Sequence, residues 1–202
     1  MAVLIVNMRR SMNRCFIRLL SGILVALCSA AAPCLASGGG DVTIGADKLP
    51  ELKSAVVVRI LQFAQWRGES AGNGTEPLRM GVLGGDKITA ALAAHAGADI
   101  NGRRLEVTTV TSIDDAAHCQ VLYISDEDGD HATLVDALDL RTLPGVLSIS
   151  DAPRFNDDGG IIQLSLENGK LVFTINTNCL EARHLFLSSR LMSVAHVYDD
   201  GS

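Results

Sequence analysis

The 202-residue sequence has no C-x-x-C pair, no G-x-S-x-G elbow and no G-x-G-x-x-G turn. The first absence removes the usual zinc and thioredoxin-like spacings. The second removes the strained-turn serine of α/β-hydrolases. Ser148 and Ser150 sit in an apolar run and Ser188 and Ser189 in a helical pattern, so all four read as structural. The third leaves Gly81, Gly84 and Gly85 as turn glycines rather than a nucleotide cradle. Clustered positive charge is missing as well. The net charge is −6 and the cations beyond the N-terminus are scattered, which argues against a nucleic-acid surface. Past the N-terminus no apolar run approaches the ~20 residues of a membrane span, and there is no internal repeat or low-complexity tract.

The N-terminus itself is different. Arg9, Arg10, Arg14 and Arg18 precede an uncharged apolar stretch, Leu19 to Ala32, and then Pro33-Cys34-Leu35-Ala36. That is the basic, apolar and small-residue order of a secretory signal. The expected organisation is a signal peptide over 1–36 cleaved near Ala36, a flexible Gly-rich leader over 37–46, and a single α/β domain over 47–198. An uncleaved N-terminal anchor is the competing reading, against which the shortness of the run argues. Met8 and Met12 are alternative starts. Cys34 lacks a Leu three residues earlier, so it is not read as a lipid anchor.

Cleavage leaves two of the five cysteines, Cys119 and Cys179. In an oxidising compartment two thiols can pair, and the sequence leaves open whether these do.

From Asp47, read as an N-cap, Leu49, Leu52, Val56, Ile60 and Phe63 recur at helix spacing up to Trp66. A Gly-rich polar loop follows, to Pro77. Strands are then expected over 78–83, 105–110, 120–125 and 145–150, with helices over 88–96, 113–117 and 131–140 between them. This is β-α-β-α-β-α-β, the order of a parallel sheet with right-handed crossovers. Segments 161–166 and 171–175 flank Glu167-Asn168-Gly169-Lys170, a hairpin signal. A last helix is expected over 177–197, with Leu180, His184, Leu187, Leu191 and Val194 on one face. The fold class is thus α/β: a mostly parallel sheet, an added antiparallel hairpin, and flanking N- and C-terminal helices.

Taken in order, several segments resemble the YfiR family. They include Leu52-Lys53-Ser54-Ala55 through Phe63 and Trp66, Pro77-Leu78-Arg79 with Val82-Leu83-Gly84, and Asn101-Gly102-Arg103 with Leu105-Glu106-Val107. The match continues through Cys119 to Ser125, Val146 to Asp151, Gly159 to Ile162, Phe173 to Asn176 and Leu187 to Leu191. The resemblance implies a periplasmic, non-catalytic α/β regulator that holds an inner-membrane diguanylate cyclase inactive, lowers cyclic-di-GMP output and can form a homodimer. It implies no cofactor. It also implies that disulfides help hold the fold. Some relatives carry a Cys where Gly81 falls, paired with a Cys at the position of Cys119, and others a Tyr where Val58 stands. Here Cys119 lacks that partner.

Residues that bind a partner or ligand are sought in Trp66, Arg183, His184 and Arg190. Trp66 doubles as a core lid, His184 as a core histidine, and the arginines as ordinary solvated charges. Asp86, Asp126 and Asp151 each follow an expected strand, and the carboxyl ends of parallel strands form a crevice. A periplasmic small-ligand sensor, or a metal-binding domain using those carboxylates, is the alternative function. Asp126, Asp128 and Asp130 have calcium-loop spacing, but His131 and Ala137 stand where Gly and Glu are required. No metal is therefore assigned.

Overall fold

The structure is a computed structural model that describes residues 46–67, 76–126, 140 and 143–198. The chain divides into two units, residues 1–40 and 41–202, and all the described residues belong to the second. The expected signal peptide and leader, most of the polar loop (68–75), the acidic run beyond Asp126 and the helix over 131–140 lie outside the described residues, apart from Leu140.

A 3-10 turn (Ala46–Lys48) leads into α1 (Leu49–Leu61). Pro50 lies in the first turn, where its missing N–H costs nothing. Asp47 is not the N-cap; Lys48 holds that position, without a side-chain bond. Val57, Ile60 and Leu61 are buried together with Ser54. The helix ends before Trp66, which sits instead in a short strand, β1 (Ala64–Trp66). Then come β2 (Leu78–Leu83), α2 (Asp86–Ala93), β3 (Asp99–Ile100), β4 (Arg103–Thr109) and α3 (Ile113–Ala117). The remaining elements are β5 (Val121–Ile124), β6 (Leu147–Ser150), β7 (Ile162–Glu167), β8 (Lys170–Asn176), α4 (Thr177–Ala182), β9 (Leu185–Leu187), α5 (Ser189–Met192) and β10 (His196–Tyr198).

The main sheet has the strand order β10-β8-β7-β6-β5-β2-β4-β3. From β4 to β7 the neighbours are parallel, β7 and β8 form the antiparallel hairpin, and β8 runs parallel to β10. Every residue of β5 and β6 is buried, as strands covered on both faces require. Alternation splits the core in two. Met80, Val82, Val121, Tyr123, Leu147 and Ile149 face one cluster with α1. Leu83, Leu122, Ile124, Val110 and Cys119 face the other. Each fully buried Leu or Ile contributes roughly 1.5–3 kcal/mol.

Two turns need left-handed backbone. Asn168 (φ 49°) and Gly169 (φ 73°) close β7–β8 between Glu167 and Lys170. Both central residues at positive φ is the type I′ signature, as Asn-Gly leads one to expect. Asn101 (φ 54°) and Gly102 (φ 87°) do the same for β3–β4. That turn was expected, but its two-residue strand β3 was not.

The C-terminal helix over 177–197 is a correction. The segment breaks into α4, β9, α5 and β10. Asn176 caps α4 through Cys179 N (3.0 Å), and His184 adopts φ 56°, which ends any right-handed helix. Leu185 and Leu187 are buried on either side of exposed Phe186, so the local period is two. β9 pairs antiparallel with β1 in a separate two-stranded sheet. Ser188 then caps α5 through Leu191 N. Leu180, Leu187 and Leu191 are buried as expected, but His184 is exposed and Val194 is 67% exposed.

Candidate functional site

The carboxyl ends of β2, β5 and β6 lie side by side, with Leu83 level with Ile124 and Ile124 level with Ser150. Topology therefore places Asp86, Asp126 and Asp151 at three neighbouring strand ends. Their chemistry differs. Asp86 opens α2 and is exposed. Asp126 donates its backbone N–H to Asp151 Oδ1 at 2.9 Å. Asp151 Oδ2 is ion-paired with Lys53 Nζ from α1, and both side chains are largely buried. The carboxylate of Asp151 is thus neutralised by a fixed cation and bonded on both oxygens. Among the described residues, no three His, Cys, Asp or Glu side chains come together in a group that could hold a metal ion.

Arg183 is not at the surface. It is 2% exposed, donating from Nη1 to Ser148 Oγ (3.1 Å) and from Nη2 to the Gly159 carbonyl (2.7 Å). Ser148 Oγ also accepts from Ile161 N at 3.1 Å. Arg183 is therefore an internal clamp between α4, β6 and the turn before β7. Its neighbour His184 is solvent-facing, and Arg190 is exposed on α5. The β1–β9 register sets Trp66 against Leu185, one residue from His184. Around that ribbon, Phe186 is 44% exposed under the guanidinium of Arg67. Val194 and Val197 are exposed beyond α5.

Cys119 and Cys179 are both free thiols, and they pack in opposite core clusters. Cys119 is buried, which pushes its thiol pKa up. The two therefore form no disulfide in this fold. A Cβ built on Gly81 would stand 2.8 Å from Cys119 Sγ and 2.4 Å from Val110 Cγ2. Only glycine fits there beside a reduced Cys119.

Two further concavities are lined by described residues. One lies between α1 and α2, where Ser54 Oγ meets His95 Nε2 at 3.3 Å. Ser54 donates its own proton to the Glu51 carbonyl. The other is a cleft of about 310 Å³ between β1 and the start of the main sheet, lined by Gln62, Trp66, Leu78, Ile100, Asn101 and Arg103 among others. The Trp66 indole is held by Nε1 donating to the Gln120 carbonyl at 3.3 Å. Arg103, 8% exposed, is held by the carbonyls of Glu76 and Pro77, each at 2.9 Å, and lies 5.9 Å from the Trp66 ring centroid. Burial lowers the Arg103 pKa, opposed by the nearby Glu76 charge. Trp66 was singled out by sequence; Arg103 was not. Its one signal is its place directly after the Asn-Gly turn.

The matched segments, in their observed order, agree with a YfiR/HmsC-like family model over residues 50–196. The chain belongs to the YfiR/HmsC-like family. A search of the curated proteins gives no match. Among solved structures, a conserved domain protein from Vibrio cholerae O1 biovar El Tor is similar at 13% identity with a TM-score of 0.46; the similarity covers 75% of this chain and 60% of that one. Among the described residues, no helix of this YfiR/HmsC-like chain is long and apolar enough to cross a membrane.

Proposed function

We propose that this protein is a periplasmic, non-catalytic regulator that binds the periplasmic sensor part of an inner-membrane diguanylate cyclase and lowers cyclic-di-GMP signalling. The observation that carries the reading is the family match over 50–196. In this reading residues 1–36 direct export and are removed. The repressor acts by binding one state of the cyclase sensor more tightly than the other, since only differential affinity shifts an equilibrium. The exposed apolar groups Phe186, Val194 and Val197, with Arg190 between them in sequence, are the surface we assign to the partner or to a second copy of the chain. Exposed apolar groups of this kind mark interaction sites when they are contiguous.

The test is cellular cyclic-di-GMP in strains with and without the gene. Deletion raises the level, and complementation with the full chain restores it. Complementation with a chain lacking residues 1–36 does not. An unchanged level on deletion across several growth conditions would overturn the reading.

A further inference from the structure

The cleft beside Trp66 is built rather than incidental. Its cation is fixed before any ligand arrives. Arg103 spends two N–H groups on the Glu76 and Pro77 carbonyls, which hold the guanidinium in place. A guanidinium carries five donors, so three remain beyond those bonds. Pre-organisation of this kind removes the side-chain ordering cost of binding. Among the described residues that line it none is acidic, although the chain has a net charge of −6.

The neutral groups around the cation are also set by local bonds. Gln62 accepts from Arg59 on Oε1 at 2.6 Å, which orients its amide nitrogen as the remaining donor. Asn101, in its left-handed turn, gives Nδ2 to the Gln62 and Ala64 carbonyls and keeps Oδ1 as an acceptor. Ser188 N donates to Phe63 O. In antiparallel alternation the bonded pairs are then 63/188 and 65/186, so Ala64 and Trp66 turn their backbone groups away from β9 and toward the cleft. Accessible apolar area comes from the half-buried indole, since Leu78 and Ile100 behind the cleft are fully buried. One fixed guanidinium, flanking amides and one indole match a single carboxylate on a short apolar body. A phosphate dianion would call for a second cation, and among the described lining residues Arg103 stands alone. The volume lies at the lower end of the ~300–1,000 Å³ range of ligand sites.

We propose that this cleft binds a small organic monocarboxylate, its carboxylate on Arg103 and its apolar part against Trp66. The inference concerns the protein alone and stands whether or not a cyclase is its partner.

Trp66 is the one tryptophan of the chain, so its fluorescence reports the site directly. The probe is hexanoate titrated into the full chain, with hexanamide as the uncharged isostere and inorganic phosphate as a competitor. Hexanoate gives a saturable change and hexanamide none. Arg103→Lys, folded by circular dichroism, weakens binding about tenfold or more, because the planar fork is lost. Glu76→Gln removes the competing charge while keeping the backbone carbonyl that holds Arg103. It tightens hexanoate binding about two- to fivefold. That gain cannot come from a damaged fold, so it decides the matter if Arg103→Lys fails to fold. No saturable change with hexanoate, an equal response to hexanamide, displacement by equimolar phosphate, or a Glu76→Gln variant that binds no more tightly would each overturn the proposal.

Discussion

Ser148→Ala removes a single oxygen, and its cost can be worked out from the bonds that oxygen accepts. Ser148 is fully buried in β6. Its Oγ receives Ile161 N at 3.1 Å and Arg183 Nη1 at 3.1 Å. Alanine fills nearly the same volume, so the cavity contribution is small. Two buried N–H groups lose their acceptor, one of them on a cation. Each orphaned group costs about 1–3 kcal/mol, and more when charged. The expected loss is therefore about 3–5 kcal/mol. For a domain of this size that is a fall in Tm of roughly 6–20 °C. Urea unfolding followed by Trp66 fluorescence reads it as a lower midpoint at unchanged slope. Ser165→Ala on half-buried β7 is the matched control and stays within about 0.5 kcal/mol. Arg183→Met costs less in the Ser148→Ala background than on its own, because the Arg183–Ser148 bond is already gone; the two changes are then less than additive. A Ser148→Ala loss below about 1 kcal/mol, or strict additivity, would refute the clamp.

Gly81→Cys with Val110→Ala, which clears the close Val110 methyl, forms a disulfide with Cys119. The 2.8 Å separation of the built Cβ from Sγ is near the ~3 Å that an S–S bond of ~2.04 Å implies, and loss of two hydrogens by intact mass checks it. Iodoacetamide labels Cys179 well before Cys119, since burial both shields the Cys119 sulfur and raises its pKa; equal rates by peptide mass mapping would contradict this. The Asp157 carboxyl pKa is lowered, chiefly by the Tyr198 hydroxyl at 2.6 Å and then by Arg154 at 2.9 Å. Its stabilising contribution is present above the unfolded value of ~3.9 and is lost as pH falls through the lower folded value. Tyr198→Phe therefore flattens the acid limb of a Tm-against-pH curve below about pH 4 and leaves its shape near neutrality unchanged.

Much of the sheet was legible because its signals are local. The apolar runs at 121–124 and 147–150 and the Asn-Gly hairpin at 168–169 need no knowledge of the rest of the chain. The C-terminal segment was not legible. Leu180, Leu187 and Leu191 fit a helical stripe equally well when α4, β9 and α5 bury them in turn. What breaks the stripe is pairing of β9 with β1, and no local pattern encodes a partner so distant in sequence. The same reason hid the roles of Arg183 and Asp151. Arg183 looks like a solvated charge and Asp151 like a strand-end crevice carboxylate until a partner from another element arrives, the Ser148 hydroxyl for one and Lys53 for the other. Arg103 was missed because an arginine at the start of a strand carries no signal of what stacks above it.

The β1–β9 ribbon also has a consequence for the order of events as the chain folds. Ala64 meets Leu187 across nearly the whole domain. Closing so long a loop carries a large entropic cost that few local contacts repay early. Synthesis proceeds from the N-terminus, so β1 exists long before the strand that covers it. The parallel core around β2, β5 and β6 can assemble while β1 still waits. The strand that carries Trp66 is then late to gain its partner. Its tryptophan, set against Leu185, has a neighbour that arrives only with that pairing.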